Sequence, residues 1–122
     1  MIDLHSHTDQ SDGTFTPAEL VAEAKRIGLS ALAITDHDTF QGYDMAVPYA
    51  AEAGLELVCG IELSTKFGGA TVHMLAYFPG QPPTQEFRGW LSFLQESRRD
   101  RNRRLIDKLQ SLGVAITLEE VE

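Results

Sequence analysis

Short apolar runs alternate with amphipathic segments along this chain, and most handovers between them carry a glycine or a capping residue. Residues 2–5 are half apolar and run into the polar stretch 6–13, a pattern that predicts a strand and then a loop. Thr16-Pro17-Ala18-Glu19 combines an N-cap threonine, a proline at the first helical position and a glutamate at N3, which together start a helix. Leu20, Val21, Ala24 and Ile27 recur at helical spacing and Gly28 stops them. Residues 29–35 form an apolar run that breaks at Asp36-His37-Asp38, so a second, buried strand ending in polar residues is expected. An alanine-rich helical segment follows as far as Gly54, with an interruption or restart expected at Pro48. Residues 55–61 read as a third strand that ends on Glu62. Both helices return to strand through Gly-Leu, at Gly28-Leu29 and Gly54-Leu55, so the repeating unit is strand, helix, strand with parallel strands.

The second half changes character. Gly68-Gly69 separates residues 63–67 from 70–78, and the latter alternate well enough for a hairpin or returning strand that contains His73. Residues 80–83 are loop-like, and Thr84 caps a long helix or a pair of helices. Phe87, Trp90, Leu91 and Leu94 make one apolar stripe; Leu105, Ile106, Leu109 and Leu112 make another beyond an arginine-rich middle. Trp90 and Phe93 are read as packing residues. The expected organisation is an α/β unit over residues 1–80 and a helical segment over 81–122. Thr117-Leu118-Glu119-Glu120 is a second capping box announcing a helix, and with so little chain after it the sequence reads as part of a longer protein.

Composition narrows the setting. A chain of 122 residues with 43% hydrophobic content falls in the range of one globular domain. Its single cysteine, Cys59, excludes an intrachain disulfide framework, and no charged segment leads into an apolar run after Met1, so a reducing cytoplasm is expected. No apolar stretch reaches the length of a membrane span. A net charge of −8 disfavours a surface that holds nucleic acid by phosphate neutralisation alone. It does not disfavour anion binding at a small centre whose positive charge comes from bound metal ions.

That possibility has candidates. The predicted strands deliver His5 and His7, then His37, then Glu62 near their C-terminal ends, the edge at which parallel α/β sheets and barrels form their sites. A His-x-His pair at a strand end places two imidazoles on the same side, within reach of one ion. Imidazole and carboxylate donors suit zinc, iron, manganese or nickel, and the lack of thiolates argues against a structural zinc cage. All 4 histidines fall in strands or at strand ends. Asp9 and Asp38 are read as turn and cap residues. Asp36 either orients a neighbouring imidazole as an acceptor or caps the strand end.

Taken together, Leu4-His5-Ser6-His7-Thr8 with Ser11-Asp12-Gly13, Ile34-Thr35-Asp36-His37-Asp38, Gly60-Ile61-Glu62 and Val72-His73-Met74-Leu75-Ala76-Tyr77 resemble the opening motifs of the PHP (polymerase and histidinol phosphatase) family, in the same order. Asp12 to His37 and His37 to Glu62 are both 25 residues apart, and the likeness covers roughly residues 1–80. The resemblance implies the N-terminal portion of a distorted (β/α)7, TIM-like barrel followed by the start of an inserted helical subdomain. It implies a metal-dependent phosphoesterase holding two or three divalent ions (manganese, zinc, iron or magnesium) on His5, His7, Asp12, His37, Glu62 and His73, with Glu62 as a bridge. A metal-activated water would then hydrolyse a phosphate ester. The family's later histidine and its C-terminal Asp-x-His have no counterpart here, since no histidine follows His73.

Within the family the spacing and the long helical segment look most like the branch that hydrolyses nucleoside 3′,5′-bisphosphates and the 5′ ends of short RNAs, so a small phosphorylated substrate, a nucleotide or short RNA, is expected. The rivals are a non-catalytic metal-binding or structural fragment and a hydrolase of another small phosphorylated or amide substrate. No general acid is evident. Arg98, Arg99, Arg101, Arg103 and Arg104 are interleaved with Glu96, Asp100 and Asp107, the pattern of a solvated helix face; the functional alternative is that Arg98 and Arg99 contact the substrate.

Overall fold

The structure is a computed structural model, and it describes residues 1–120. Two compact units divide the chain, Met1–Pro83 and a second from Thr84 onward.

In the first unit the capping box forms as its sequence requires. Thr16 Oγ1 accepts from Glu19 N, Glu19 accepts from Thr16 N, and α1 runs from Pro17–Arg26 to a left-handed Gly28. Strands β1 (Ile2–Ser6) and β2 (Ala31–Ile34) lie parallel on either side of this helix in the chain, and α2 (Gln41–Ala53) then leads through left-handed Gly54 to β3 (Glu56–Phe67). The expected break at Pro48 does not occur: α2 is continuous through it. Pro48 has no N–H to donate to the Asp44 carbonyl, and both residues lie on the exposed face, where water can reach that carbonyl.

Helices α1 and α2 pack on one face of the sheet. Val21, Ala24, Ala46 and Ala50 meet Leu32 and Ile34 of β2, and the alanines let helix and sheet approach closely. Every residue of β2 is buried.

Strand β3 is longer than the sequence pattern indicates. Its first part pairs with β2 in parallel, from Ala31↔Glu56 to Ile34↔Cys59, and its second part pairs antiparallel with β4 (Ala70–Tyr77), from Gly60↔Tyr77 to Phe67↔Ala70. Glu62 therefore stands inside a strand rather than at its end. The pattern ended early because the residues after Glu62 pass from partly buried to exposed and carry the polar side chains of a hairpin. The sheet order is β1-β2-β3-β4, yet Tyr77 on the fourth strand donates its hydroxyl to the Leu4 carbonyl on the first at 2.6 Å. Only a sheet curled towards a half-barrel brings those strands together.

The second unit is built on one 27-residue helix, α3 (Gln85–Ser111), capped by Thr84. A helix pair is not formed. Leu91 and Ile106 are its buried residues, whereas Trp90 stacks on Phe87 and Phe93 is exposed, against the packing role expected for it. Thr117 and Glu120 make capping-box hydrogen bonds, but the helix expected beyond them lies outside the described residues. No helix among the described residues is long and apolar enough to cross a membrane.

Gly60 marks the handover of β3 from one partner to the other, and a Cβ there would stand 2.8 Å from the buried Thr35 Cγ2 and 3.2 Å from the Ile34 carbonyl. Gly60→Ala is expected to lower folding stability by about 1–3 kcal/mol, since the β-branched neighbour and the backbone cannot both yield. Urea denaturation followed by circular dichroism measures this; unchanged stability would show that the sheet opens there without cost.

Candidate metal centre

Backbone pairing at the C-terminal edge of the curled sheet determines which side chains meet. After β2 ends, Glu62 N donates to the Asp36 carbonyl at 3.2 Å and Asp38 N donates to the Glu62 carbonyl at 3.0 Å, making an isolated parallel bridge between His37 and Glu62. Asp38 adopts a left-handed φ of 55° and accepts from Ser64 N at 2.9 Å, in keeping with its reading as a turn residue. On the other side, Thr35 N donates to the Ser6 carbonyl at 2.8 Å. The register of β1 slips between Asp3 and Ser6, a bulge-like irregularity of the kind that re-aims a side chain, and His5 lies within it. Residues 8–13 fold back on the end of β1, with Gly13 N donating to the Thr8 carbonyl. A Cβ on Gly13 would overlap the His7 carbonyl, so only glycine lets the loop close tightly enough to bring Asp12 beside His7.

All six residues expected from the motifs come together. Glu62 is their centre: its Oε2 lies 2.8 Å from His5 Nε2 and 3.1 Å from His7 Nε2, while its Oε1 lies 2.8 Å from His73 Nδ1. Asp12 lies 3.1 Å from His7 Nδ1 and 3.4 Å from His37 Nε2. The imidazoles form a row, with ring centroids 5.2 Å apart for His5 and His7, and 4.8 Å for both His7 with His37 and His37 with His73. Burial works to raise the Glu62 carboxyl, but hydrogen bonds from His5 and His73 and the charges of His37 and His5 outweigh it and hold it below the usual carboxylate range.

This donor set suits a cation. Three overlapping groups, His5-His7-Glu62, His7-Asp12-His37 and His37-Glu62-His73, each offer three donor atoms within 4.8 Å of one another. Among the described residues the buried His37 Nδ1 has no hydrogen-bond partner, while its Nε2 faces Asp12. Glu62 directs one oxygen towards His5 and His7 and the other towards His73. The His5, Asp12 and His73 side chains are open to solvent, whereas that of Glu62 is 9% exposed.

Among the described hydrogen bonds the Asp36 carboxylate meets the loop after β1 and no imidazole: Oδ1 accepts from Thr8 N at 2.7 Å and Ser11 Oγ at 2.6 Å, and Oδ2 accepts from Thr8 Oγ1 at 2.7 Å. Sequence reasoning assigned no role to Thr8, Ser11 or Gly42, which surround this carboxylate, because hydroxyls and a glycine in polar segments carry no periodic signal. Arg98 and Arg99 lie on α3 in the second unit, the former half-buried and the latter exposed.

Comparison with known proteins agrees with this geometry. The model of the PHP domain matches residues 3–112. A protein of Haemophilus influenzae named 5′-3′ exoribonuclease is 37% identical over 92% of this chain, and one of Chromobacterium violaceum named 3′,5′-nucleoside bisphosphate phosphatase is 35% identical over 93%. The chain spans 40% of the length of each. Among solved structures, one from Bifidobacterium adolescentis described as a metal-dependent phosphoesterase superposes with a TM-score of 0.82 at 37% identity, over 98% of this chain and 41% of that one. Another, named an amidohydrolase from Chromobacterium violaceum, gives 0.76 at 34% identity, over 94% and 40%. With the ordered motifs, the half-barrel and the clustered imidazoles, these matches establish that the chain belongs to the PHP-domain family.

Proposed function

We propose that this chain carries the N-terminal metal ligands of a phosphoesterase that hydrolyses small phosphorylated substrates, nucleoside 3′,5′-bisphosphates or the 5′ ends of short RNAs. The observation that supports this most directly is the Glu62 carboxylate, which faces His5 and His7 with one oxygen and His73 with the other. The relatives' names supply the substrate class.

In this reading His5, His7, Asp12, His37, Glu62 and His73 hold two or three divalent ions, of manganese, zinc, iron or magnesium. Such ions, when bound, polarise a phosphoryl oxygen and make hydroxide available near neutral pH. Glu62 would be the ligand shared between neighbouring ions. Asp12, two-thirds exposed, stands on the rim nearest solvent, whereas Glu62 lies beneath with its side chain 9% exposed. The protein's part is thus to assemble oxygen and nitrogen donors on rigid backbone so that a phosphate meets a preorganised positive centre in an otherwise acidic molecule. Arg98 and Arg99 are proposed substrate contacts, since a guanidinium pairs with phosphate in a bidentate manner.

Chelation of the purified protein with EDTA is expected to abolish phosphate release from nucleoside 3′,5′-bisphosphates and mononucleotide release from 5′-phosphorylated oligoribonucleotides, and added Mn2+ to restore both. His7→Ala is expected to lower activity by at least the roughly 10–100-fold seen when an outer partner of a metal ligand is lost, together with metal content measured by plasma mass spectrometry. Full metal content and activity in that variant would refute the ligand assignment. The structural neighbour named an amidohydrolase makes amide hydrolysis the rival; metal-loaded protein that cleaves amides and releases no phosphate would favour it.

A further inference from the structure

We infer that Asp36 is a positioning residue whose buried carboxylate determines where His7 and Asp12 stand relative to His37 and Glu62, and so the affinity of one ion site in the cluster. The inference rests on the metal-binding reading above.

Asp36 is fully buried. A carboxylate out of water needs donors to offset its lost hydration. In the described hydrogen bonds those donors are Thr8 N, Thr8 Oγ1 and Ser11 Oγ, all from the loop that runs from His7 to Asp12. Thr8 follows His7 directly, and Ser11 precedes Asp12 directly. The side chain therefore grips the loop beside each of the two ligand candidates it carries. The main chain of Asp36 complements this grip, since it leads into His37 and its carbonyl accepts from Glu62 N. One residue thus joins the three segments that supply the His7-Asp12-His37 and His5-His7-Glu62 groups, while belonging to neither group itself.

The first turn of α2 closes the arrangement from behind. Gly42 lies so near that a Cβ there would overlap Asp36 Oδ2 and crowd Thr8 Oγ1. The carboxylate can neither retreat into the helix nor exchange its partners for water. Its contacts reach the Asp12 loop but not His73, which β4 positions through its pairing with β3. Loosening Asp36 is therefore predicted to act unevenly across the cluster.

The test is calorimetric titration of the purified protein with Mn2+, alongside thermal melting of the metal-free form. Wild-type protein that binds no divalent ion would sink the metal reading itself. Given wild-type binding, Asp36→Asn is expected to weaken at least one binding step roughly 10–100-fold, with another step shifting by less than the lower end of that range. Phosphoesterase kcat should recover at saturating Mn2+. Gly42→Ala, which removes no polar group, and Thr8→Val, which keeps the backbone hydrogen bond, are expected to act in the same direction and decide the matter if Asp36→Asn does not fold. Unchanged affinities in the folded variants would overturn the inference. So would a uniform loss at every step that tracks a lower melting temperature of the metal-free protein, since that is general destabilisation.

Discussion

A carboxylate set among imidazoles governs this molecule. Glu62 is nearly buried, and the groups that approach its two oxygens come from the first and fourth strands, which in a flat sheet of the same order would lie far apart. Bringing them together demands curvature, and curvature demands that β3 serve two partners in succession. The lowered pKa of the carboxyl is the electrostatic signature of the same convergence: burial works against the charge, and the surrounding imidazoles more than compensate.

The handover within β3 is what lets one strand serve both functions. Up to Cys59 it is the third member of a parallel α/β sheet with helices behind it; from Gly60 it is one arm of a hairpin whose other arm presents His73. The stitch formed by Asp36, His37 and Asp38 along the middle of β3 occupies the level at which β2 has already ended. His37 thereby arrives beside Glu62 although neither lies at the end of a regular strand pair. Rigidity at this edge comes from backbone hydrogen bonds and buried side-chain acceptors, which together hold the imidazoles and carboxylates within a few ångströms of one another.

The edge strands tell a different story from the core. On β1, Ile2 and Leu4 are exposed, and on β4 so are Val72, Met74 and Leu75. Apolar side chains along a sheet edge are surfaces that native proteins ordinarily cover. The relatives from Haemophilus influenzae and Chromobacterium violaceum are longer than this chain, which spans 40% of each.

Much of this was legible in the sequence because its physics is local. The Thr16-to-Glu19 capping box, the left-handed glycines after both helices, the buried run of β2 and the hairpin glycines each express a short-range steric or hydrogen-bonding requirement that a few consecutive residues satisfy. The order of the histidine and carboxylate motifs pointed to the donors for the same reason: a parallel sheet gathers its strand ends at one edge. What the sequence could not express was non-local. The unbroken course of α2 through Pro48 depends on which face of the helix meets water, and the extension of β3 past Glu62 depends on a partner strand. The role of Asp36 depends on Thr8, Ser11 and Gly42 arriving around it from separate segments. Those outcomes belong to tertiary structure, because a carboxylate acquires its function only from the donors that surround it once water has gone.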